Sequence, residues 1–196
     1  MYKRQLRYNA VIQYIKDNID VHDVISVRSI SSSYLPDWRP GVDYRKTYSA
    51  QKELGGGVSI DLIHEWDYLT YLFGLPNEVR CIIGRKSNLE VNCEDIAIYI
   101  GEYKERTVEL HLDYFGRQTI REIMLFTNHD TIVGDIVHNT IHFLKTGETL
   151  DFQESRDDFQ IRELEHFLDI ISGNKINDSD INHAIKVLKL TQGEWM

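Results

Sequence analysis

Two titratable side chains three residues apart carry the clearest chemical signal in this sequence. Asp61 and His64 lie in the segment from Gly55 to Gly74, GGGVSIDLIHEWDYLTYLFG. On a helix, residues at this spacing share one face, and the carboxylate would orient the imidazole. A histidine held in this way suits general acid–base catalysis near neutral pH. The alternative interpretation is structural: an acidic helix start whose histidine only forms hydrogen bonds.

A second group of candidate residues lies in the long irregular segment 34–53. The segment combines prolines and a glycine with aromatic and charged side chains, and loops of this length in compact domains are commonly functional. Its candidate substrate contacts are Trp38, Arg39, Tyr44 and Tyr48. Each of them could instead belong to a surface loop of charges and packed aromatic rings.

Hydrophobic periodicity predicts the elements that must position these residues. Helical spacing of apolar residues predicts a short helix after Asn9 and a longer one over 58–73, opened by three glycines and ended by Gly74. Alternation and short connections predict strands at 24–33, 79–84, 95–103, 107–113, 119–126, 131–136, 140–145 and 149–152. Two C-terminal helices follow, one from a capping-box-like start at Ser155 and one from Asp178 or Ser179. Their predicted buried stripes are Ile161, Leu164, Leu168 and Ile171, then Ile181, Ile185 and Leu188.

This order of elements predicts an α+β fold: a large, mainly antiparallel, open sheet with helices on one face. The segment 95–103 is apolar on both sides, with Ile96, Ile98 and Ile100 opposite Ala97 and Tyr99. A large apolar face left open by the helices would be a partner surface. We therefore expect a homodimer or homotetramer formed through the open face of the sheet.

Composition limits the classes of function. The 196 residues suit a single domain over 1–196, and the net charge of −9 argues against nucleic-acid binding, which relies on Lys and Arg. No apolar run approaches the ~20 residues that cross a bilayer, and the N-terminus has no signal-peptide pattern. Two cysteines suggest reduced thiols in a cytoplasmic protein. His138 and His142 lack a third ligand at suitable spacing, so we expect no metal site.

The segment 55–74 resembles the signature helix of the C-terminal domain of the glucose-fructose oxidoreductase / inositol dehydrogenase (Gfo/Idh/MocA) family. The likeness continues upstream through Arg7-Tyr8-Asn9-Ala10 and the stretch from Tyr34 to Ser49, and downstream through the strands to the closing helices. It covers nearly the whole chain, and the pattern of glycines, Asp61, His64 and Asp67 is its specific part.

The resemblance implies NAD(P)-dependent oxidation or reduction of a sugar or polyol hydroxyl. In this family the histidine that matches His64 exchanges the hydroxyl proton, and the aspartate that matches Asp61 supports histidine and substrate. Arg39, Tyr44, Tyr48, Trp38 and Asp67 would then lie on the substrate side. The family usually has three residues between the aspartate and the histidine, whereas here only Leu62 and Ile63 intervene.

The dinucleotide-binding half of that family has no counterpart in the sequence. No G-x-G-x-x-G follows a predicted strand, and the Glu-Lys-Pro with the family's catalytic lysine does not occur. We therefore expect a substrate-binding and oligomerisation domain without the Rossmann domain, inactive alone and binding no NAD or NADP by itself. The alternative hypothesis is an assembly or carbohydrate-binding module that keeps the fold without the chemistry.

Overall fold

Eight strands form one open, mixed sheet. A computed structural model describes residues 5–155, 157–178 and 180–193 of the chain. The strands are β1 Val24–Tyr34, β2 Glu78–Gly84, β3 Ile96–Glu102, β4 Thr107–Asp113, β5 Phe115–Thr127, β6 Thr131–Asp135, β7 Thr140–Phe143 and β8 Thr149–Asp151. Their order is β2-β3-β4-β1-β5-β6-β7-β8. The strand β1 pairs in parallel with β4, and the other described pairs are antiparallel. The predicted α+β fold is confirmed.

The described helices pack on one face of this sheet. They are α1 Ala10–Asn18, α2 Val58–Asp61, α3 Ile63–Phe73, α4 Asp158–Ile171 and α5 Ile181–Thr191. The helix predicted after Asn9 is α1, and the Asn9 side chain caps it by accepting a hydrogen bond from the amide of Val11. A single turn of 3₁₀ helix at Val21–Asp23 leads into β1, and another 3₁₀ turn, Gln5–Tyr8, precedes α1.

The core lies between the helices and alternate residues of the central strands. Val27 of β1 is level with Val108 of β4 on one side and with Leu125 of β5 on the other, and all three are fully buried. The helix α3 covers the β3 side, where Trp66 packs edge-on against Tyr99, with ring centroids 5.6 Å apart. The helix α1 covers the β5 and β6 side. A single buried layer therefore joins the helices to both halves of the sheet.

The segment predicted as one helix over 58–73 is two helices. The break is at Leu62, whose φ of −102° and ψ of 23° interrupt the helical path between α2 and α3. Asp61 ends α2, and His64 lies in the first turn of α3. The two residues of the candidate pair are thus on separate helices that meet at an angle, and their relation is set by this junction.

The apolar stripes of the C-terminal helices are exposed, so the prediction that they are buried was wrong. Ile161, Leu164, Leu168 and Ile171 of α4 are 52–66% exposed, and no described residue of α4 is buried. In α5, Ile181 is 70% exposed and Ile185 48%. Helical periodicity identifies the apolar face of a helix, but it cannot show whether the same chain covers that face.

The remaining predictions fall close to the observed elements. The strand predicted at 119–126 begins four residues earlier, at Phe115. The segment predicted as irregular over 34–53 contains three single turns of 3₁₀ helix, at Leu35–Asp37, Tyr44–Lys46 and Tyr48–Ala50, and a fourth, Lys52–Leu54, extends one residue beyond it. The start predicted at Ser179 falls outside the described residues. None of the described helices is long and apolar enough to cross a membrane, and both cysteines are free thiols.

Candidate active site

A cleft of about 790 Å³ opens where the junction of α2 and α3 meets the ends of β1 and β5. Its volume is within the range of about 300–1,000 Å³ common for small-molecule sites. Four of the predicted site residues line it: Trp38, Arg39, Asp61 and His64. Arg117, Thr119 and Arg121 occupy alternate positions of β5, so they share one face of the strand and also line the cleft.

Gly56 and Gly57 allow the start of α2 to pack closely against the preceding loop and the segment before β3. A Cβ at Gly56 would collide with the backbone carbonyl of Tyr48, so only glycine allows the loop to pack this closely. Gly57 has a φ of +127° and is the N-cap of α2. A Cβ there would collide with the carboxylate of Glu94, which accepts a hydrogen bond from Ser59 at 2.5 Å. The close packing fixes the position of Asp61 at the end of α2.

His64 forms a polar cluster with Glu65 and Arg121. Its Nε2 lies 3.1 Å from Nη2 of Arg121 and 3.2 Å from Oε1 of Glu65. The guanidinium Nε of Arg121 donates to the same carboxylate oxygen at 2.8 Å. Nε2 can therefore accept from Arg121 when it carries no proton and donate to Glu65 when it does. A ring with a partner in both states can gain and lose a proton without reorganisation of the cleft wall.

The charge of Glu65 is stabilised although its side chain is completely buried. Burial by itself would raise the pKa of Glu65, but the charge of Arg121 and the hydrogen bond from His64 outweigh it and lower that pKa to about 2. Burial and the nearby Glu65 hold the pKa of Tyr68 well above 10, and its hydroxyl lies 2.7 Å from Ser29 Oγ. A permanent negative charge thus sits beneath His64, and a permanent positive charge beside it.

Asp61 is anchored by Tyr114. The Tyr114 hydroxyl donates to Oδ2 of Asp61 at 2.7 Å, and both side chains are buried. Burial and the charge of Asp61 raise the pKa of Tyr114 far above that of a free phenol, so the hydroxyl keeps its proton and remains a donor. The Tyr114 ring packs edge-on against Trp38, with centroids 5.3 Å apart, and Trp38 Nε1 donates to Ser33 Oγ at 2.9 Å. Two hydrogen bonds and a ring contact therefore hold the wall that carries Asp61.

Three predicted site residues are not among those that line the cleft. Tyr44 lies in an adjacent pocket, and its hydroxyl accepts a hydrogen bond from the amide of Glu90. Tyr48 is beside the cleft, with the guanidinium of Arg39 5.2 Å from the centre of its ring. Asp67 is buried in a bidentate ion pair with Arg7, at 2.6 and 2.8 Å, which holds α3 to the turn before α1. The structure thus places Asp67 in a supporting contact.

The sequence reasoning missed Glu65, Arg117 and Arg121. Glu65 is three residues after Leu62 and four before Leu69, so it lies on the apolar side of the helix, where a carboxylate requires a cation as partner. Arg121 is 56 residues further along the chain than Glu65, and the register of β1 with β5 places it level with Ser31. A polar residue at every second position from 117 to 121 was the signal that could have identified the strand's contribution.

The described residues offer no nucleotide-binding element. No described strand leads through a glycine-rich turn into a helix, and the glycines before α2 follow a 3₁₀ turn and pack on the Glu94 carboxylate, which would repel a diphosphate. NAD(P) therefore does not fit at these glycines. Nor do any three described His, Cys, Asp or Glu side chains group as metal ligands.

Comparison with known proteins identifies the family. The family model for the C-terminal α/β domain of the Gfo/Idh/MocA oxidoreductase family matches residues 16–123, which is more than half of the chain. No curated protein matches it in sequence.

Solved structures share the fold. UDP-N-acetylglucosamine 3-dehydrogenase from Acidithiobacillus ferrooxidans is 20% identical in sequence, with a TM-score of 0.75. The superposition covers 98% of this chain and 58% of that enzyme. Levoglucosan dehydrogenase in complex with NADH and levoglucosan is 13% identical, with a TM-score of 0.79. The superposition covers 98% of this chain and 62% of that enzyme. An oxidoreductase from Agrobacterium radiobacter, in complex with NAD⁺, L-tartaric acid and magnesium, is 16% identical, with a TM-score of 0.76. The superposition covers 98% of this chain and 60% of that protein.

This chain thus spans about three fifths of the length of the structures that it resembles. At these identities the likeness establishes the fold, and the match to the family model establishes the relationship. The chain belongs to the Gfo/Idh/MocA oxidoreductase family and corresponds to its C-terminal α/β domain.

Proposed function

We propose that this chain is the substrate-binding and oligomerisation part of an NAD(P)-dependent dehydrogenase that acts on a sugar or polyol hydroxyl. The observation that carries the proposal is the position of His64 at the wall of the cleft, with hydrogen-bonding partners for either protonation state of Nε2. The dehydrogenases that share the fold act, by name, on a nucleotide sugar and on levoglucosan, and one is in complex with NADH. These names support a sugar hydroxyl as the reacting group.

In the proposed reaction, His64 takes up the proton that the substrate hydroxyl loses. The buried carboxylate of Glu65 accepts a hydrogen bond from Nε2 when the ring is protonated there, and Arg121 donates to Nε2 when it carries no proton. Asp61, held by Tyr114, orients the substrate from the opposite helix. A nicotinamide, supplied by a domain outside the described residues, would exchange the hydride. Asp61 and His64 are thus the proposed catalytic residues of this chain, and Trp38 and Arg39 the proposed substrate contacts.

Binding measurements with the isolated chain test this division of labour. We expect calorimetry to detect binding of a sugar or polyol, and we expect neither NADH binding nor turnover. Joining a nucleotide-binding domain of the family to the N-terminus should restore both. If the isolated chain turns over a sugar alone, the proposal is wrong. If sugar binding persists but the joined protein stays inactive, and Asp61 and His64 can be replaced without effect, the chain is a binding module.

We also propose that the open face of the sheet pairs with a second copy of the chain, as a homodimer or a homotetramer. Ile25, Ile82 and Ile100 are 48–64% exposed on the strands, which is unusual for large apolar side chains that have no partner. The mass in solution at micromolar concentration, measured by light scattering, should be a multiple of 23.0 kDa. A mass equal to one chain would contradict this proposal. The free thiols fit a reducing compartment such as the cytoplasm.

A further inference from the structure

The cleft adjoins a side pocket with an excess of positive charge. The side pocket has a volume of about 380 Å³ and shares Tyr34 and Arg117 with the cleft. Lys86 lines it as well. The chain has nine more acidic than basic residues, yet Lys86, Arg117, Arg121 and Arg39 line these two adjoining cavities.

Most of these cations are not neutralised by the protein. Arg121 is paired with Glu65. Among residues 5–155, 157–178 and 180–193, no carboxylate lies within ion-pair distance of Arg39, Arg117 or Lys86, whereas the exposed Arg28, Arg45 and Arg80 all have such partners. Asp37 and Asp61 are the acidic residues that line the cleft, and the side pocket has none. A cavity of this kind attracts anions.

The side pocket is also held in shape before any ligand binds. The guanidinium carbon of Arg117 lies 3.9 Å from the centre of the Tyr34 ring, a stacking contact that fixes its plane and leaves its N–H groups available. The buried carboxylate of Asp95 accepts from the amides of Lys86 and Ser87, at 2.7 and 3.0 Å, and so fixes the backbone that carries Lys86. Charged donors on a fixed frame bind an anion with little cost in ordering.

We propose that the substrate of the cleft carries an anionic group, a phosphate or a carboxylate, and that Arg117 and Lys86 bind this group in the side pocket. The proposal rests on the proposed function, since it takes the cleft as the sugar site. The reacting hydroxyl lies at His64 and the anionic group at Arg117, so the distance between them selects which hydroxyl is presented. Arg117 and Lys86 are thus specificity residues and take no part in proton transfer.

The test is a nuclear magnetic resonance titration of the full chain, which follows the side-chain Nε–H signal of Arg117. The probes are D-glucose 1-phosphate, D-glucuronate, inorganic phosphate and, as the uncharged control, methyl α-D-glucoside. We expect saturable shifts with the anions and none with methyl glucoside. A response to phosphates only identifies a phosphate site, and a response to glucuronate only identifies a carboxylate site. Salt should weaken the response.

Arg117→Gln identifies the signal and tests the contribution of this side chain. It should lower the affinity for the anionic probes about tenfold, because it removes charge-assisted hydrogen bonds. The matched control is Arg80→Gln, which removes the same charge from exposed strand β2, where Arg80 pairs with Glu78. We expect less than about a twofold change in the control. Since Arg117 is exposed, the melting temperature of Arg117→Gln should equal that of the wild type.

The proposal is overturned if no anion shifts the Arg117 signal at tens of millimolar, or if Arg117→Gln and Arg80→Gln weaken binding equally. This outcome is distinct from a failure of the proposed function. Suppose that uncharged sugars bind and that the protein joined to a nucleotide-binding domain depends on His64 for activity, but that no anion shifts the Arg117 signal. Then only the proposed anion site is wrong. If anions bind at Arg117 but His64 can be replaced without loss of activity, the anion site stands and the proposed chemistry is wrong.

Discussion

Arg121→Met should lower the free energy of unfolding by about 3–5 kcal/mol at pH 7. The substitution removes the cation that lies 2.8 Å from Glu65, whose side chain is fully buried, and leaves a charge in the protein interior beside the uncharged Tyr68 hydroxyl and His64. Chemical denaturation followed by circular dichroism measures the change. The matched control is Arg28→Met, in which an exposed pair with Glu109 is lost, and its cost should stay below about 1 kcal/mol.

The dependence on pH separates lost charge compensation from lost packing. In the wild type the pKa of Glu65 is lowered from 4.5 to about 2, so its charge stabilises the fold above pH 4.5, and this contribution is lost as the pH falls towards 2. In Arg121→Met the buried carboxyl takes up a proton more readily, or His64 becomes charged beside it. Either event stabilises the variant as the pH falls, so its deficit should shrink between pH 7 and pH 4.5. An unchanged deficit would mean that Arg121 acts through packing alone.

His64→Ala should lower kcat about 100- to 10,000-fold in a dehydrogenase that contains this chain together with a nucleotide-binding domain. The variant removes the group that takes up the hydroxyl proton and leaves the cavity otherwise intact. Steady-state kinetics with a sugar that calorimetry has identified as a ligand provide the measurement. Affinity for that sugar should change much less than kcat, because the loss concerns the reaction step.

A second histidine serves as the control for this experiment. His142 of β7 is half-buried, and its Nδ1 lies 2.9 Å from Thr149 Oγ1, away from the cleft. His142→Ala should retain kcat within about twofold. A near wild-type kcat in His64→Ala would rule out the role proposed for His64. Circular dichroism of both variants verifies that they are folded.

The elements of the fold could be predicted because most of them show a local pattern. The strand β4 alternates over Thr107–Asp113, and its predicted bounds are those observed. The strand β5 was predicted too short because its first residues, from Phe115 to Gln118, show no apolar alternation; there the strand is defined by the pairing of Phe115 with Tyr34. Likewise, the break at Leu62 could not be predicted, because the apolar residues before and after it keep helical spacing.

For the candidate site, four of the predicted residues line the cleft, but the sequence did not indicate their partners on β5. Asp61 and His64 could be recognised together because they are three positions apart in the sequence. Arg121 reaches His64 from 57 residues away, and only the sheet register shows that β5 passes beneath α3. Asp67 shares a helix with His64, and sequence spacing alone cannot show that its carboxylate faces Arg7. Long-range pairing therefore determines which polar residues meet in the cleft.

The central position of β1 also has a consequence for the folding pathway. Its partners arrive late in synthesis: Arg28 meets Glu109 across 81 residues, and Ser31 meets Arg121 across 90. Contacts with such separations must overcome the entropy of closing long loops, and they slow folding. The cleft is bordered by the end of β1 and the start of β5, so it cannot exist until these two strands have paired. We therefore expect the cleft to form in the same step as the pairing of β1 with β5.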